Sequence, residues 1–186
     1  KQISLHSLHV RSDNGYDEIV ALGEGMLIAV LDAGFVGANS ITINDQLKTT
    51  TTRNFVEGGT NVYQGSSHGF SVLSTMASYQ QHFFIGTAPQ ASYALIKTEK
   101  ELSETPEEMF NWIAGAEFAD SIGADIINSS LGYSTFDDPA DDYTVADLDG
   151  RTSIISLGAV AAARTGMLVV TSAGNAGGSS WDKITF

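Results

Sequence analysis

Four short apolar runs, each bounded by turn residues, constrain the fold of this chain more than any other feature. Short runs that stay apolar at successive positions are typical of strands buried on both faces of a parallel sheet. The predicted strands are Met26–Asp32, Ala91–Thr98, Ala124–Ser130 and Met167–Ala173.

Three helical patterns lie between these strands. They run from about Gly69 to about Tyr79, over residues 105–123, and from about Thr152 to Arg164. The second has the strongest start signal, because Thr105 suits the N-cap, Pro106 suits the first turn, and acidic residues that favour the helix dipole follow. Strands that alternate with helices predict an α/β fold with a mostly parallel sheet and right-handed crossovers.

The balance of charge excludes two classes of partner. The 186 residues include 9 basic and 22 acidic side chains, which gives a net charge of −13. Such a surface repels nucleic-acid phosphates and anionic membranes. No apolar run reaches the roughly 18 residues that a membrane span needs. The absence of cysteine also excludes a disulfide scaffold, a thiolate metal site and a cysteine nucleophile.

The stretch Phe136–Gly150 is unusually acidic. A solvated loop that leads into a helix is the favoured interpretation. A structural calcium site is the alternative, although the spacing of the aspartates matches no compact cage of oxygen ligands. We therefore expect no cofactor, with structural calcium left open.

Polar side chains lie where the predicted strands end. In an open parallel sheet, ligand-binding and catalytic residues lie at the carboxyl ends of the strands. Asp32 ends the first strand, Ser129 and Ser130 end the third, and Asn175 follows the fourth in a glycine-flanked turn. His68 opens the first helix. Taken singly, each has an ordinary explanation as a turn former or a packed or capping side chain. Together they supply a carboxylate, an imidazole and an amide, which a general-base pair and an oxyanion hole require.

The chemistry of this set is specific. A hydroxyl nucleophile is weak until a base accepts its proton, and His68 can be that base if Asp32 accepts a hydrogen bond from the far ring nitrogen. The amide of Asn175 can donate to an oxyanion that develops on an attacked carbonyl group.

Five motifs in register resemble those of the subtilisin-like serine proteases. They are IAVLDAGF, SSHGFSVLSTMA, GTAPQASYALIKT, ADIINSSLGY and LVVTSAGNAG, and they extend from about Gly23 to Gly178. The resemblance implies a three-layer fold with helices on both faces of a mostly parallel sheet. It also implies that Asp32 is the triad aspartate, His68 the general base and Asn175 the oxyanion donor.

The resemblance further implies two walls of a substrate cleft. The segment SSLG resembles the one that pairs with the substrate backbone, and SAGN resembles the opposite wall of the specificity pocket. The substrate-binding residues implied in this way are Ser129, Ser130, Leu131, Gly132, Ala173 and Gly174.

The chain departs from the family pattern in three places. The Gly-Thr-Ser motif of the nucleophile is absent, and the family places its serine after the asparagine, beyond the point where this chain stops at Phe186. We therefore expect residues 1–186 to be the front part of a single domain, inactive alone and prone to pair with the missing part or with a second copy. In addition, Ala33 replaces a usual Ser or Thr, and Phe70 replaces a usual Thr.

The expected function is hydrolysis of peptide bonds in protein or peptide substrates, by a serine endopeptidase of which this chain is a part. The alternative is a pseudoprotease or peptide-binding module with the same fold. A nucleotide-binding turn at VLDAGFVGA is disfavoured, because the pattern is incomplete and an acid occupies its first turn. For specificity, Gly132 favours a large apolar substrate side chain, whereas the net negative charge favours basic substrates.

The resemblance also implies a bacterial protein that is secreted, periplasmic or on the cell surface. No secretion signal opens the chain, so we expect any such signal to have been removed or to lie outside it.

Overall fold

The computed structural model of the protein describes residues 10–13, 16–19, 21–80 and 82–178. Nine strands occur in this part of the chain: β1 Val10–Asp13, β2 Tyr16–Ile19, β3 Leu27–Asp32, β4 Lys48–Asn54, β5 Tyr79–Gln80, β6 Phe84–Ile85, β7 Ser92–Lys97, β8 Ile126–Ser129 and β9 Leu168–Thr171. Five of them form a sheet in the order β4-β7-β3-β8-β9. All neighbours in that sheet pair in parallel, which confirms the predicted α/β class. The strands β1 and β2 pair in antiparallel, and so do β5 and β6.

Three α-helices connect the strands of the sheet, at nearly the predicted bounds. They are α1 His68–Ala77, α2 Pro106–Ser121 and α3 Ile154–Arg164. The start of α2 is as predicted, because Thr105 is the N-cap and Pro106 is the first helical residue. In addition, the buried Glu108 accepts hydrogen bonds from the backbone N–H groups of Thr105 at 3.1 Å and Lys100 at 2.9 Å. That carboxylate fastens the loop after β7 to the helix. None of the helices in the described ranges is both long and apolar enough to cross a membrane.

The central strand β3 divides the core into two layers. Because successive side chains of a strand point to opposite faces, Ala29 and Leu31 pack in one apolar cluster with residues of α2 and α3. Ile28 and Val30 pack in a second cluster with residues of α1. Helices thus cover both faces of the sheet, which confirms the three-layer architecture.

The edge strand β4 was not predicted. Its sequence, KTTTTRN, contains no apolar run, and most of its side chains are exposed or half-buried. It pairs with β7, from Lys48 opposite Ser92 to Asn54 opposite Lys97. Threonine is β-branched and suits strands, and charged side chains such as those of Lys48 and Arg53 discourage pairing of an exposed edge with other chains.

Candidate active site

Asp32 is the last residue of β3 and its side chain is fully buried. Its Oδ1 accepts a hydrogen bond from the N–H of Ala33 at 2.8 Å and lies 2.8 Å from Nδ1 of His68, while Oδ2 lies 3.0 Å from the same nitrogen. Burial raises the pKa of Asp32, and the hydrogen bonds and the charge of His68 oppose that rise. The sequence-based pairing of carboxylate and imidazole is therefore present in the structure.

His68 is the first residue of α1, and about half of its side chain is exposed. Its backbone N–H donates to Oγ of Ser66 at 3.1 Å, which ties the helix start to the preceding loop. With Nδ1 donating to Asp32, the neutral imidazole keeps a lone pair on Nε2, the nitrogen that can accept a proton. A half-exposed ring with one nitrogen held by a buried carboxylate is suited to general-base catalysis.

Two glycines allow these residues to meet. The N–H of Gly69 donates to the carbonyl oxygen of Gly34 at 3.0 Å. A Cβ at Gly69 would lie 2.6 Å from that oxygen and 2.9 Å from Cβ of Asp32. Gly34 has a φ of 145°, and a Cβ there would lie 2.8 Å from the carbonyl oxygen of Ser66. The close approach of α1 to the end of β3 therefore requires glycine at both positions.

The two family departures near this pair have clear structural settings. The backbone N–H of Ala33 donates to the Asp32 carboxylate. This residue therefore still supplies one hydrogen-bond donor, although it lacks the hydroxyl group that Ser or Thr would add. The half-buried ring of Phe70 packs with the apolar cluster below α1, and a Cβ at Gly37 would lie 3.1 Å from it. The ring of Phe70 thus lies against the core and the turn at Gly37.

The segment SSLG follows β8 at the same edge of the sheet. Ser129 is buried, and its Oγ accepts a hydrogen bond from Nε1 of Trp112 at 2.9 Å. Ser130 is half-buried, and its Oγ accepts from Nδ2 of Asn128 at 3.4 Å. Leu131 and Gly132 line a cleft of about 280 Å³ that also includes His68. The implied substrate-binding role of all four residues stays a prediction.

The segment SAGN follows β9 and is joined to SSLG by two hydrogen bonds. The N–H of Ser172 donates to the carbonyl of Ser129 at 3.0 Å, and its Oγ donates to the carbonyl of Leu131 at 2.8 Å. Ala173, Gly174 and Asn175 are exposed, and Gly174 has a φ of 75°. The two predicted walls are neighbours at the carboxyl edge, whereas the oxyanion role of Asn175 stays a prediction.

Sequence reasoning missed Glu99, which also lines the cleft beside His68. It is 6% exposed, and its Oε1 accepts hydrogen bonds from the hydroxyl groups of Tyr133 and Thr98. Burial raises the pKa of Glu99 to about 8, and the nearby carboxyl groups of Glu108 and Glu104 add to the rise. The available signal was its place two residues after β7, at the edge where polar strand-end residues gather.

The aspartates of the acidic stretch 136–150 make local hydrogen bonds. Asp138 accepts from the N–H of Ala140, Asp142 from that of Phe136, and Asp149 from that of Arg151. Within the described ranges, no group of three or more His, Asp or Glu side chains is placed to hold a metal ion. The expectations about calcium and cofactors stay predictions.

A buried carboxylate paired with a half-exposed imidazole at the carboxyl edge of a parallel sheet is an arrangement that triad hydrolases use. Residues 23–184 match the model of the subtilase family, and the chain belongs to that family. The family consists of serine-type peptidases, which confirms the resemblance inferred from the five motifs.

Solved structures share the fold. A cold-adapted subtilisin-like serine proteinase has a TM-score of 0.62 at 16% identity, over 92% of this chain and 55% of that one. MycP1 with its N-terminal propeptide removed has a TM-score of 0.61 at 20% identity, over 83% of this chain and 44% of that one. Fervidolysin from Fervidobacterium pennivorans, a keratinolytic enzyme related to subtilisin, has a TM-score of 0.60 at 20% identity, over 89% of this chain and 23% of that one.

At these identities the matches show the fold alone. The chain spans about half or less of the length of these structures. No curated protein sequence matches it.

Proposed function

We propose that the protein is a serine endopeptidase in which Asp32 and His68 form a triad with a serine from a further part of the domain. We also propose that residues 1–186 are the front part of that domain. The observation that carries the proposal is the Asp32–His68 contact, with Nδ1 2.8 Å from Oδ1. Family membership supports the peptidase reaction. Residues 1–186 alone are predicted to show no triad-dependent turnover.

In the proposed reaction, Nε2 of His68 accepts the proton of the serine hydroxyl while the serine oxygen bonds to the carbonyl carbon of the peptide. The buried carboxylate of Asp32 stabilises the imidazolium that forms. The amide of Asn175 donates to the oxyanion. As the C–N bond breaks, His68 returns the proton to the leaving amine, and water then hydrolyses the acyl-enzyme by the same route.

The test compares variants of the full-length protein on a peptide substrate. His68→Ala and Asp32→Asn are expected to lower kcat by about 10³- to 10⁴-fold or more, and Asn175→Ala by about 10²- to 10³-fold. His82→Asn is the matched control, because His82 is exposed between β5 and β6 and has a φ of 68° that asparagine tolerates. Unchanged turnover in His68→Ala would remove His68 from the mechanism.

A pseudoprotease or peptide-binding module is the second candidate, because Ala33 and Phe70 depart from the usual family residues beside Asp32 and His68. Labelling of the full-length protein by a fluorophosphonate favours the enzyme. Absence of labelling together with measurable binding of peptides favours the module.

We also propose that the protein acts outside the cytoplasm, as a secreted, periplasmic or cell-surface protein. The support is its similarity to the subtilisin-like enzymes. Fractionation of the source cells with an antibody tests this location, and recovery only from the cytoplasm would contradict it.

A further inference from the structure

The cleft beside His68 has an acidic lining that the proposed catalytic reaction does not use. One side of the cleft is lined by Ala33, Ser66, His68, Leu131 and Gly132, and the loop after β7 lines the other. Its residues in the cleft are Glu99, Lys100, Glu101 and Glu104. The cleft thus joins the predicted general base to three carboxyl groups.

Glu99 is the buried member of this set. Its Oε1 has two hydrogen-bond donors, the hydroxyl groups of Tyr133 and Thr98. Its Oε2 accepts no hydrogen bond from the residues that the structure describes, and this oxygen keeps some exposure to the cleft that Glu99 lines. A cationic ligand that enters the cleft can therefore donate a hydrogen bond to Oε2 of the ionised carboxyl group.

The negative charge around Glu99 is poorly balanced. Burial raises the pKa of Glu104, and the carboxyl groups of Glu108 and Asp137 raise it further. Lys100 is the one basic residue among the described residues that line the cleft. Its Nζ donates to the carboxylate of Glu107 at 2.6 Å, which lies outside the set that lines the cleft.

We propose that this cleft binds a lysine or arginine side chain of the peptide substrate, and that Glu99, assisted by Glu104, selects it. The inference rests on the proposed function and names its substrate class. A cationic side chain supplies the N–H donor that Oε2 lacks and neutralises the carboxyl cluster. An apolar side chain of similar length leaves Oε2 without a donor, and sites built for a hydrogen bond discriminate strongly against analogues that cannot make it.

The selection depends on pH in a definite direction. Glu99 is protonated in the free protein below about pH 8 and must lose that proton to pair with a cation. The preference for a basic over an apolar side chain therefore rises from pH 6 to pH 8 and then levels off. The groups that face Glu99 are Tyr133, Thr98, Glu104 and Glu108, with His68, Lys100 and Glu101 also in the cleft. The pKa of Tyr133 is raised well above its ordinary value, so Tyr133 stays a neutral donor throughout.

The test measures binding of labelled peptides to the full-length protein that carries His68→Ala, so that the peptides are not hydrolysed during the measurement. The peptides differ at one residue, which is lysine, arginine, norleucine or glutamate, at each of four positions before the scissile bond. At pH 8 the basic peptide is expected to bind about 10- to 100-fold more tightly than the norleucine peptide at one position. The lysine and arginine arms show which cation the cleft prefers.

Adding Glu99→Gln is expected to remove most of this preference and leave affinity for the norleucine peptide unchanged. Glutamine keeps an acceptor for Tyr133 and Thr98, so the local hydrogen bonds survive. Glu104→Gln is a second variant, with an intermediate effect. Glu117→Gln is the matched control, since Glu117 lies exposed on α2 and outside the cleft.

Three results would overturn the inference: tighter binding of norleucine than of lysine and arginine at every position, an unchanged preference in Glu99→Gln, or a preference that does not rise with pH. Binding is measured without catalysis, so the two proposals can fail separately. A basic preference that depends on Glu99 supports the inference even if His68 proves dispensable for hydrolysis.

Discussion

Replacement of Glu99 by glutamine is predicted to make the protein more stable at high pH, by an amount that grows with pH. The carboxyl group ordinarily has a pKa of 4.5, and in the folded protein burial raises it to about 8. Between these values the folded state keeps a proton that the unfolded state has lost, so the stability of the wild type falls as pH rises through this window. At about 1.4 kcal/mol per pH unit, the ionised group costs at most roughly 5 kcal/mol above pH 8.

Glutamine cannot ionise, so the Glu99→Gln variant escapes this loss. We expect it to be about 2 to 4 kcal/mol more stable than the wild type at pH 9, because the newly buried amide N–H groups offset part of the gain. At pH 4.5 the carboxyl group of the wild type is protonated and only the cost of the amide remains, so the variant is expected to be about 1 to 3 kcal/mol less stable. Urea unfolding of the full-length protein at pH 4.5, 7 and 9, followed by circular dichroism, measures the difference.

The comparison isolates Glu99 because wild type and variant share every other titrating group. Glu117→Gln serves as the control and is expected to show no comparable pH dependence. A stability difference that stays constant from pH 4.5 to 9 would refute the reasoning. A variant that becomes less stable than the wild type as pH rises would show that the ionised carboxylate has a favourable partner.

Two further variants test the packing that positions the site. Gly69→Ala places a Cβ 2.6 Å from the carbonyl oxygen of Gly34. It is expected to lower the free energy of unfolding by about 1 to 3 kcal/mol and to lower kcat/KM, because it displaces His68. Unchanged unfolding and unchanged kinetics would contradict this prediction. Trp112→Phe removes the fully buried indole that donates to Ser129. It is expected to lower the free energy of unfolding by about 1 to 3 kcal/mol. An unaltered midpoint of urea unfolding would contradict this prediction.

The parts of the fold that were predictable are those in which burial and periodicity coincide. The strand β3 is apolar almost throughout because both of its faces are covered, so its sequence alone indicates its place in the sheet. The edge strand β4 obtains its position from pairing with β7. Its exposed threonines form no apolar pattern, so its sequence does not indicate a strand of the sheet.

The candidate site divides in the same way. Asp32 and His68 stand at the end of a buried strand and the start of a helix, so the topology places them at one edge, and the family order of motifs identifies them as a pair. Glu99 also follows a buried strand, yet nothing in the letters KTEK distinguishes a carboxyl group that is buried beside Tyr133 from one in solvent. That distinction arises only when residues distant in the chain meet.

The contact that sets the distance between Asp32 and His68 is itself made by the backbone. Gly69 N–H donates to the Gly34 carbonyl, and neither position has space for a side chain. The glycines that follow Asp32 and His68 in the sequence are therefore part of the site's construction, since any larger residue would move the imidazole away from the carboxylate. Because catalysis by positioned groups depends on their geometry, the motifs DAG and HG predict the geometry of this pair better than either candidate catalytic side chain does by itself.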